Sequence, residues 1–100
     1  MQETSNIELD RVLHQPVRTR IVAYLAARGE STFTDLKHAL EVTDGNLEAH
    51  MKKLVSCGYV STRKETSEGR PQTLYSLSQP GEEAFKNYVD ALQQLLHIEN

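Results

Sequence analysis

Apolar residues recur at helical spacing in five segments of the chain, interrupted by polar breaks and by one stretch rich in β-forming residues. In residues 5–14, "SNIELDRVLH", Leu9, Val12 and Leu13 share a face, and Ser5 or Asn6 can cap the start. Residues 16–28, "PVRTRIVAYLAAR", open with a proline that needs no N–H in a first helical turn. They carry Val17, Ile21 and Leu25 at every fourth place and end at Gly29. The stretch "STFTDLKHAL" predicts a short helix capped by Thr32, with Asp35 three places on and Phe33, Leu36 and Leu40 turned inward. Three residues, "EVT", then lead into "DGNLEAHMKKLVSC", residues 44–57. There Thr43 can cap the helix, Asp44 suits its positive end and Gly58 closes it.

Two short helices either side of a tight turn predict a helix-turn-helix over about 32–57. The β-prone segments 59–65, "YVSTRKE", and 72–78, "QTLYSLS", flank the turn-forming "TSEGRP" and predict a hairpin. Pro71 has no N–H for a ladder and belongs at the mouth of the second strand. A last helix, about 79–98, is capped by Ser78 and tolerates Pro80 in its first turn. Phe85, Tyr88, Val89, Leu92, Leu95 and Leu96 give it a continuous apolar stripe. The expected fold is mainly α with a small β-hairpin, as one domain over residues 1–100.

The second helix of the pair raises a question. Leu47, Met51, Leu54 and Val55 lie on one side, while the other carries Gly45, Asn46, Ala49, Lys52, Lys53 and Ser56. This outer face is small at its start and positive further on, in a chain of net charge −3. Charge is unevenly spread. Residues 43–75 carry five Lys/Arg against four Asp/Glu, whereas 1–42 carry five against six and 76–100 one against four.

With 100 residues, 38% hydrophobic and 25% charged, the chain has the composition of a small globular domain with a modest core. It has no apolar run long enough to span a bilayer and no signal-peptide pattern at its start, so a cytoplasmic protein with no membrane partner is expected. A single cysteine, Cys57, suits a reducing compartment and here reads as a packing residue. No paired carboxylates, nucleophile-base set, phosphate-binding glycine loop or metal cluster stands out. The chain reads as no enzyme and as requiring no cofactor.

Three stretches taken in order, "HQPVRTRIVAYL", "DGNLEAHMKKLVSCGYV" and "GRPQTLYSLSQPGEEAF", resemble the winged helix-turn-helix transcriptional regulators of the MarR/ArsR type. The likeness is greatest to the short stand-alone branch, and it covers about residues 10–86. The resemblance implies that the hairpin, about 59–78, is the wing and that helix 44–57 enters the major groove of double-stranded DNA. In that setting Gly45 and Ala49 give clearance, and Asn46 can hydrogen-bond a base. Lys52, Lys53 and Ser56 meet phosphates, with His50 at the border of core and exposed face. Thr32, Thr34 and Thr43 at helix N-termini are backbone anchors. Arg63, Lys64 and Arg70 supply the wing's charge; Arg63 and Lys64 point to opposite faces of their strand, so one of the two is the direct contact.

The family's metal-sensing members carry a cysteine pair in the helix before the recognition helix. Here Thr32 and Thr34 stand in the matching stretch, which excludes a thiolate metal site. Asp90 and His97, two turns apart, do not complete another. Close relatives are more basic beyond the wing tip, where this chain has Gln72, Leu74 and Ser76.

The stripe on the last helix is too broad for so small a core to cover. A homodimer is therefore expected, with Ile7, Leu9, Phe85, Tyr88, Val89, Leu92, Leu95 and Leu96 at its interface and terminal helices from both ends of the chain. The functional expectation is a dimeric, sequence-specific DNA-binding regulator, more often a repressor in this family, acting on a pseudo-palindromic operator. Any small-molecule effector is unspecified. The alternative is a winged-helix protein-protein interaction module.

Overall fold

The computed structural model describes residues 7–97, in the order α1 (Pro16–Arg28), β1 (Ser31–Thr32), α2 (Phe33–Leu40), α3 (Asp44–Ser56), β2 (Val60–Ser67), β3 (Arg70–Leu77) and α4 (Gln79–Leu96). Each helix begins where a side chain satisfies an otherwise orphaned backbone N–H. The Gln15 side chain accepts from Arg18 N ahead of Pro16, and Gly29, at φ 81°, ends α1 by donating to the Leu25 carbonyl. Thr32 and Asp35 form a reciprocal capping box at α2. The Thr43 hydroxyl accepts from Asn46 N at α3, and the Ser78 hydroxyl accepts from Gly81 N at α4. The Gly29, Thr32, Thr43 and Ser78 caps fall where the sequence predicts them, whereas the Gln15 cap is not anticipated by it.

The residues before α1 differ from expectation. Between residues 7 and 15 the chain forms a single hydrogen-bonded turn rather than a helix, and the expected caps Ser5 and Asn6 lie outside the described residues. Asp10 is the physical reason. Its carboxylate accepts from Val12 N at 2.8 Å and Leu13 N at 3.1 Å, which rewards a local turn over helix propagation. Pro16 then biases Gln15 to an extended backbone, φ −149°, which separates this turn from α1. The turn still delivers Leu13 into the core with no exposure.

The sheet has three strands rather than two. Ser31 and Thr32 pair with Tyr75 and Leu74 of β3, giving the antiparallel order β1-β3-β2. Sequence reading assigned Thr32 only to a helix cap, and a two-residue strand carries no pattern of its own. The hairpin is longer than expected at its tip. Ser67 pairs with Arg70 across a two-residue turn in which Glu68 and Gly69 have φ 53° and 79°, as a type I′ turn requires. Pro71 sits in the second position of β3, opposite Thr66 and next to the tip turn.

Ile21, Val22 and Leu25 of α1, Leu36 and Leu40 of α2, and Leu47, Met51 and Leu54 of α3 meet in one core, closed by Val60 and Tyr88. Arg20 donates to the Leu40 carbonyl at 2.8 Å and ties α1 to the end of α2. Val55, placed with the inward residues by its spacing, is 37% exposed, because α3 rotates it toward the space between helix and sheet. Tyr88, expected at a dimer interface, is 5% exposed and hydrogen-bonds His14 Nδ1 at 2.8 Å. It is a core residue of the protomer itself. Elsewhere on the stripe, Phe85 and Leu92 pack partly against the core, and Leu96 is 75% exposed.

The junction after α3 fixes the relative placement of three elements. Tyr59 N donates to the Leu54 carbonyl, and Ser78 N donates to the Tyr59 carbonyl. The Ser78 hydroxyl donates to the Gly58 carbonyl at 2.5 Å, and the Tyr59 hydroxyl to Asp10 at 2.5 Å. That hydrogen bond to the Asp10 carboxylate, aided by burial, pushes the Tyr59 hydroxyl up to about 12, so it stays a donor. Gly81 lies directly against this junction, where a Cβ would sit 2.1 Å from the Tyr59 carbonyl oxygen. Gly81→Ala is expected to destabilise the protein by about 1–3 kcal/mol, because backbone must shift to admit the methyl group. Urea unfolding monitored by circular dichroism measures the loss.

Candidate nucleic-acid interface

The outer face of α3 is a consequence of its inner one. Leu47 and Leu54 have no exposure and Met51 has 3%, so the helix cannot rotate about its axis without pulling them from the core. Gly45, Asn46, Ala49, Lys52, Lys53 and Ser56 are consequently all exposed. Apart from its chain neighbours and the backbone of its own helix, nothing lies within 4 Å of a Cβ built on Gly45, and its φ is not in the left-handed region. The fold therefore does not require glycine there, and the small residue leaves open space outside the helix.

Thr43 and Thr32 are already engaged as caps, accepting from Asn46 N at 3.1 Å and Asp35 N at 3.0 Å, which leaves their hydroxyl protons free to donate outward. Thr34, in the first turn of α2, is exposed. Asp44, which would repel a polyanion, pairs with Lys37 at 2.8 Å across the turn between the two helices.

His50 is half-buried, and its Nδ1 accepts from Arg18 Nη1 at 3.2 Å. Burial first, and the neighbouring guanidinium second, hold the imidazole below its ordinary titration range. At neutral pH it is thus an uncharged ring whose Nε2–H is the remaining donor. Arg18 is oriented in turn by a 2.7 Å hydrogen bond from its Nε to the Val12 carbonyl. Sequence spacing gives no hint of this Arg18–His50 pair, since the two residues are 32 places apart.

On the wing, the register assigns faces. Thr62 lies opposite Tyr75 and Lys64 opposite Thr73, so these side chains share one face of the hairpin. Arg63 lies opposite Leu74 and Ser67 opposite Arg70, on the other face. Lys64 and Arg70 are exposed with no ion-pair partner among the described residues, and Arg70 flanks the tip turn. Arg63 is different. Its Nε and Nη2 donate to the two oxygens of Glu30 at 2.6 and 2.8 Å, and its Nη1 lies 3.2 Å from Glu65.

Between α3 and the sheet runs an open groove of about 420 Å³. Its floor is Phe33, Met51, Val55 and Tyr75, and its rim is Glu48, Lys52, Ser56 and Thr62. Partial burial, with the Glu48 carboxylate nearby, raises the Tyr75 hydroxyl above its ordinary range and keeps it protonated. The structure thus brings α3, the N-terminus of α2 and one wing face to the same side of the molecule. Among the described residues, no group of three or more His, Cys, Asp or Glu side chains could hold a metal ion, and no helix is long and apolar enough to cross a membrane.

Comparison with known proteins places this arrangement. An uncharacterized protein of Methanocaldococcus jannaschii is 41% identical over 85 residues, which is 85% of this chain and 92% of that protein. A transcriptional regulator homologue from Pyrococcus horikoshii superposes with a TM-score of 0.84 at 30% identity, covering 96% of this chain and 95% of that one. A mutant MarR of Escherichia coli superposes with a TM-score of 0.71 at 25% identity, over 80% of this chain and 58% of that one. The model of the winged helix DNA-binding domain family matches residues 17–96, and the chain belongs to that family, whose fold is that of DNA-binding transcriptional regulators rather than of enzymes.

Proposed function

We propose that the protein is a homodimeric, sequence-specific regulator of transcription that acts as a repressor in the cytoplasm, with α3 in the major groove of a pseudo-palindromic operator. The observation that carries this reading is the outward face of α3, small over its first two turns and positive over its last, on a helix whose other face is locked in the core. Asn46 reads a base edge, for which adenine gives the best bidentate match. Gly45 and Ala49 let the helix approach. Lys52, Lys53 and Ser56 meet phosphates further along, joined by the His50 Nε2–H. Thr32, Thr34 and Thr43 donate from the helix N-termini. Lys64 and Arg70 carry the wing's contact with the adjacent backbone or minor groove.

Dimerisation is supported by the end of α4. Its buried residues are Gly81 and Tyr88, so the stripe beyond them, Val89, Leu92, Leu95 and Leu96, is at best partly covered by the chain's own core. Leu9, beside Ala84 and Tyr88, and Phe85 lie next to this stripe, and in the proposed dimer Ile7 joins them. A two-fold pair through α4 presents two recognition helices to half-sites ~34 Å apart.

Binding to a random duplex pool followed by selection tests the proposal and supplies the operator. On the selected site Asn46→Ala is expected to cost ~1–3 kcal/mol while leaving binding to random duplex unchanged. Lys53→Ala should weaken both alike and lower the log–log salt slope by ~0.9. Gly45→Ala separates the two uses of that face: it should leave the free protein at least as stable, since its Cβ meets no other part of the fold, yet weaken operator binding. Both gaining, or both losing, would contradict the close approach. Leu96→Glu should weaken self-association at least about tenfold, ~1.4 kcal/mol, in sedimentation velocity. An unchanged dimer would put the interface elsewhere.

A further inference from the structure

Arg63 stands apart from the other cations of the wing. Glu30 immediately precedes β1, and Arg63 is in β2, at the opposite edge of the sheet. At the Arg63 position the ladder runs Arg63, Leu74, Thr32 from edge to edge. The guanidinium therefore passes over the middle strand to reach the far side, and Leu74 beneath that row is 8% exposed. All three guanidinium nitrogens face carboxylate oxygens, two on Glu30 and one on Glu65. The three residues together carry a net charge of −1, which opposes a phosphate. They also lie on the hairpin face opposite to Thr62, Tyr75 and Lys64, the face that borders α3.

β1 offers β3 only two residue pairs, so backbone hydrogen bonding alone holds that edge weakly. The hairpin is paired within itself over eight positions, whereas the strand that leads into α2 adds only two pairs to it, beside the direct packing of α2 on β3. A side-chain bridge from β2 to Glu30 spans both ladders at once.

We propose that Arg63 is a positioning residue and not a DNA contact: held by Glu30 and Glu65, it clamps the wing to the strand that opens α2 and so sets the angle between wing and recognition helix. This rests on the DNA-binding reading above for its consequence, but the clamp itself belongs to the free protein. The wing cations it leaves to meet nucleic acid are Lys64, on the face bordering α3, and Arg70, which shares the Arg63 face but sits beside the tip turn with no carboxylate partner among the described residues. Glu30, which sequence reading passes over, becomes part of the device.

A charge exchange tests it, with the full chain and a 30-bp random-sequence duplex as probe. Arg63→Glu alone should weaken binding and speed amide hydrogen exchange at Ser31, Thr32 and along the wing several-fold. Adding Glu30→Arg rebuilds the triad with its members exchanged, and should restore both the exchange rates and the affinity to within about twofold. Arg63→Gln should leave the salt slope unchanged, whereas Lys64→Gln should lower it by ~0.9. The proposal is overturned if Arg63→Gln lowers the slope by ~0.9, or if the exchanged pair binds as poorly as Arg63→Glu. It is also overturned if wing amides are indifferent to all three changes at Arg63 and Glu30. Should the protein show no salt-dependent duplex binding at all, the DNA reading fails while the hydrogen-exchange result still decides the clamp.

Discussion

The one-sided burial of α3 governs the rest of the molecule. Leu47, Met51 and Leu54 recur at four and three places and fill the space left by Ile21, Val22 and Leu25 of α1. An interior packed at crystal-like density leaves little freedom for a helix to turn about its axis. Once that side is fixed, the identity of every outward residue from Gly45 to Ser56 is fixed as well. The two ends add axial restraint. Thr43 caps the start, and at the other end the N–H groups of Gly58 and Tyr59 close on the carbonyls of Val55 and Leu54. A binding surface made this way requires little ordering on contact, which favours affinity by reducing the entropy lost on association.

The Gly58–Tyr59 junction extends the same rigidity to the wing and to α4. Four segments meet there: the end of α3, the start of β2, the Ser78 cap of α4 and the Asp10 turn. Gly81 allows α4 to start in contact with the Tyr59 carbonyl, so the direction of the last helix is coupled to the direction of the wing. In a dimer built through α4, that coupling relates the spacing of two recognition helices to backbone contacts at one dipeptide. The Arg63 triad does comparable work at the far edge of the sheet, where two residue pairs are all that β1 contributes.

Most of the architecture was legible in the sequence because it is written locally. Caps such as Thr32, Thr43 and Ser78, the C-terminal Gly29 and the helical spacing of Leu47, Met51 and Leu54 act within a few residues of themselves. What escaped was written at long range or in too few residues. β1 is two residues long and exists only through Tyr75 and Leu74. The segment before α1 has helical spacing, yet Asp10 finds closer partners in the N–H groups of Val12 and Leu13. Tyr88 shares spacing with an apolar stripe, but His14, 74 residues away, takes its hydroxyl. At the candidate interface the outward residues of α3 were readable from one helix alone. The pairing of Arg63 with Glu30, of His50 with Arg18 and of Asp44 with Lys37 was not, since spacing cannot report which charges neutralise one another across elements.

Electrostatics gives the surface its final character. Net charge is −3, so long-range attraction to a polyanion must come from a local patch rather than from the whole molecule. On the proposed reading Lys52 and Lys53 form that patch, and the Asp44 carboxylate at the other end of α3 is paired with Lys37. The most direct test is to record backbone amide NMR shifts of the full chain while titrating in its selected duplex. If α3 seats in the major groove, the largest changes fall on residues 43–53 and near the wing tip, with α1 silent. Shifts confined to α4, or scattered over the groove-free side of the molecule with residues 43–53 unmoved, would contradict the account.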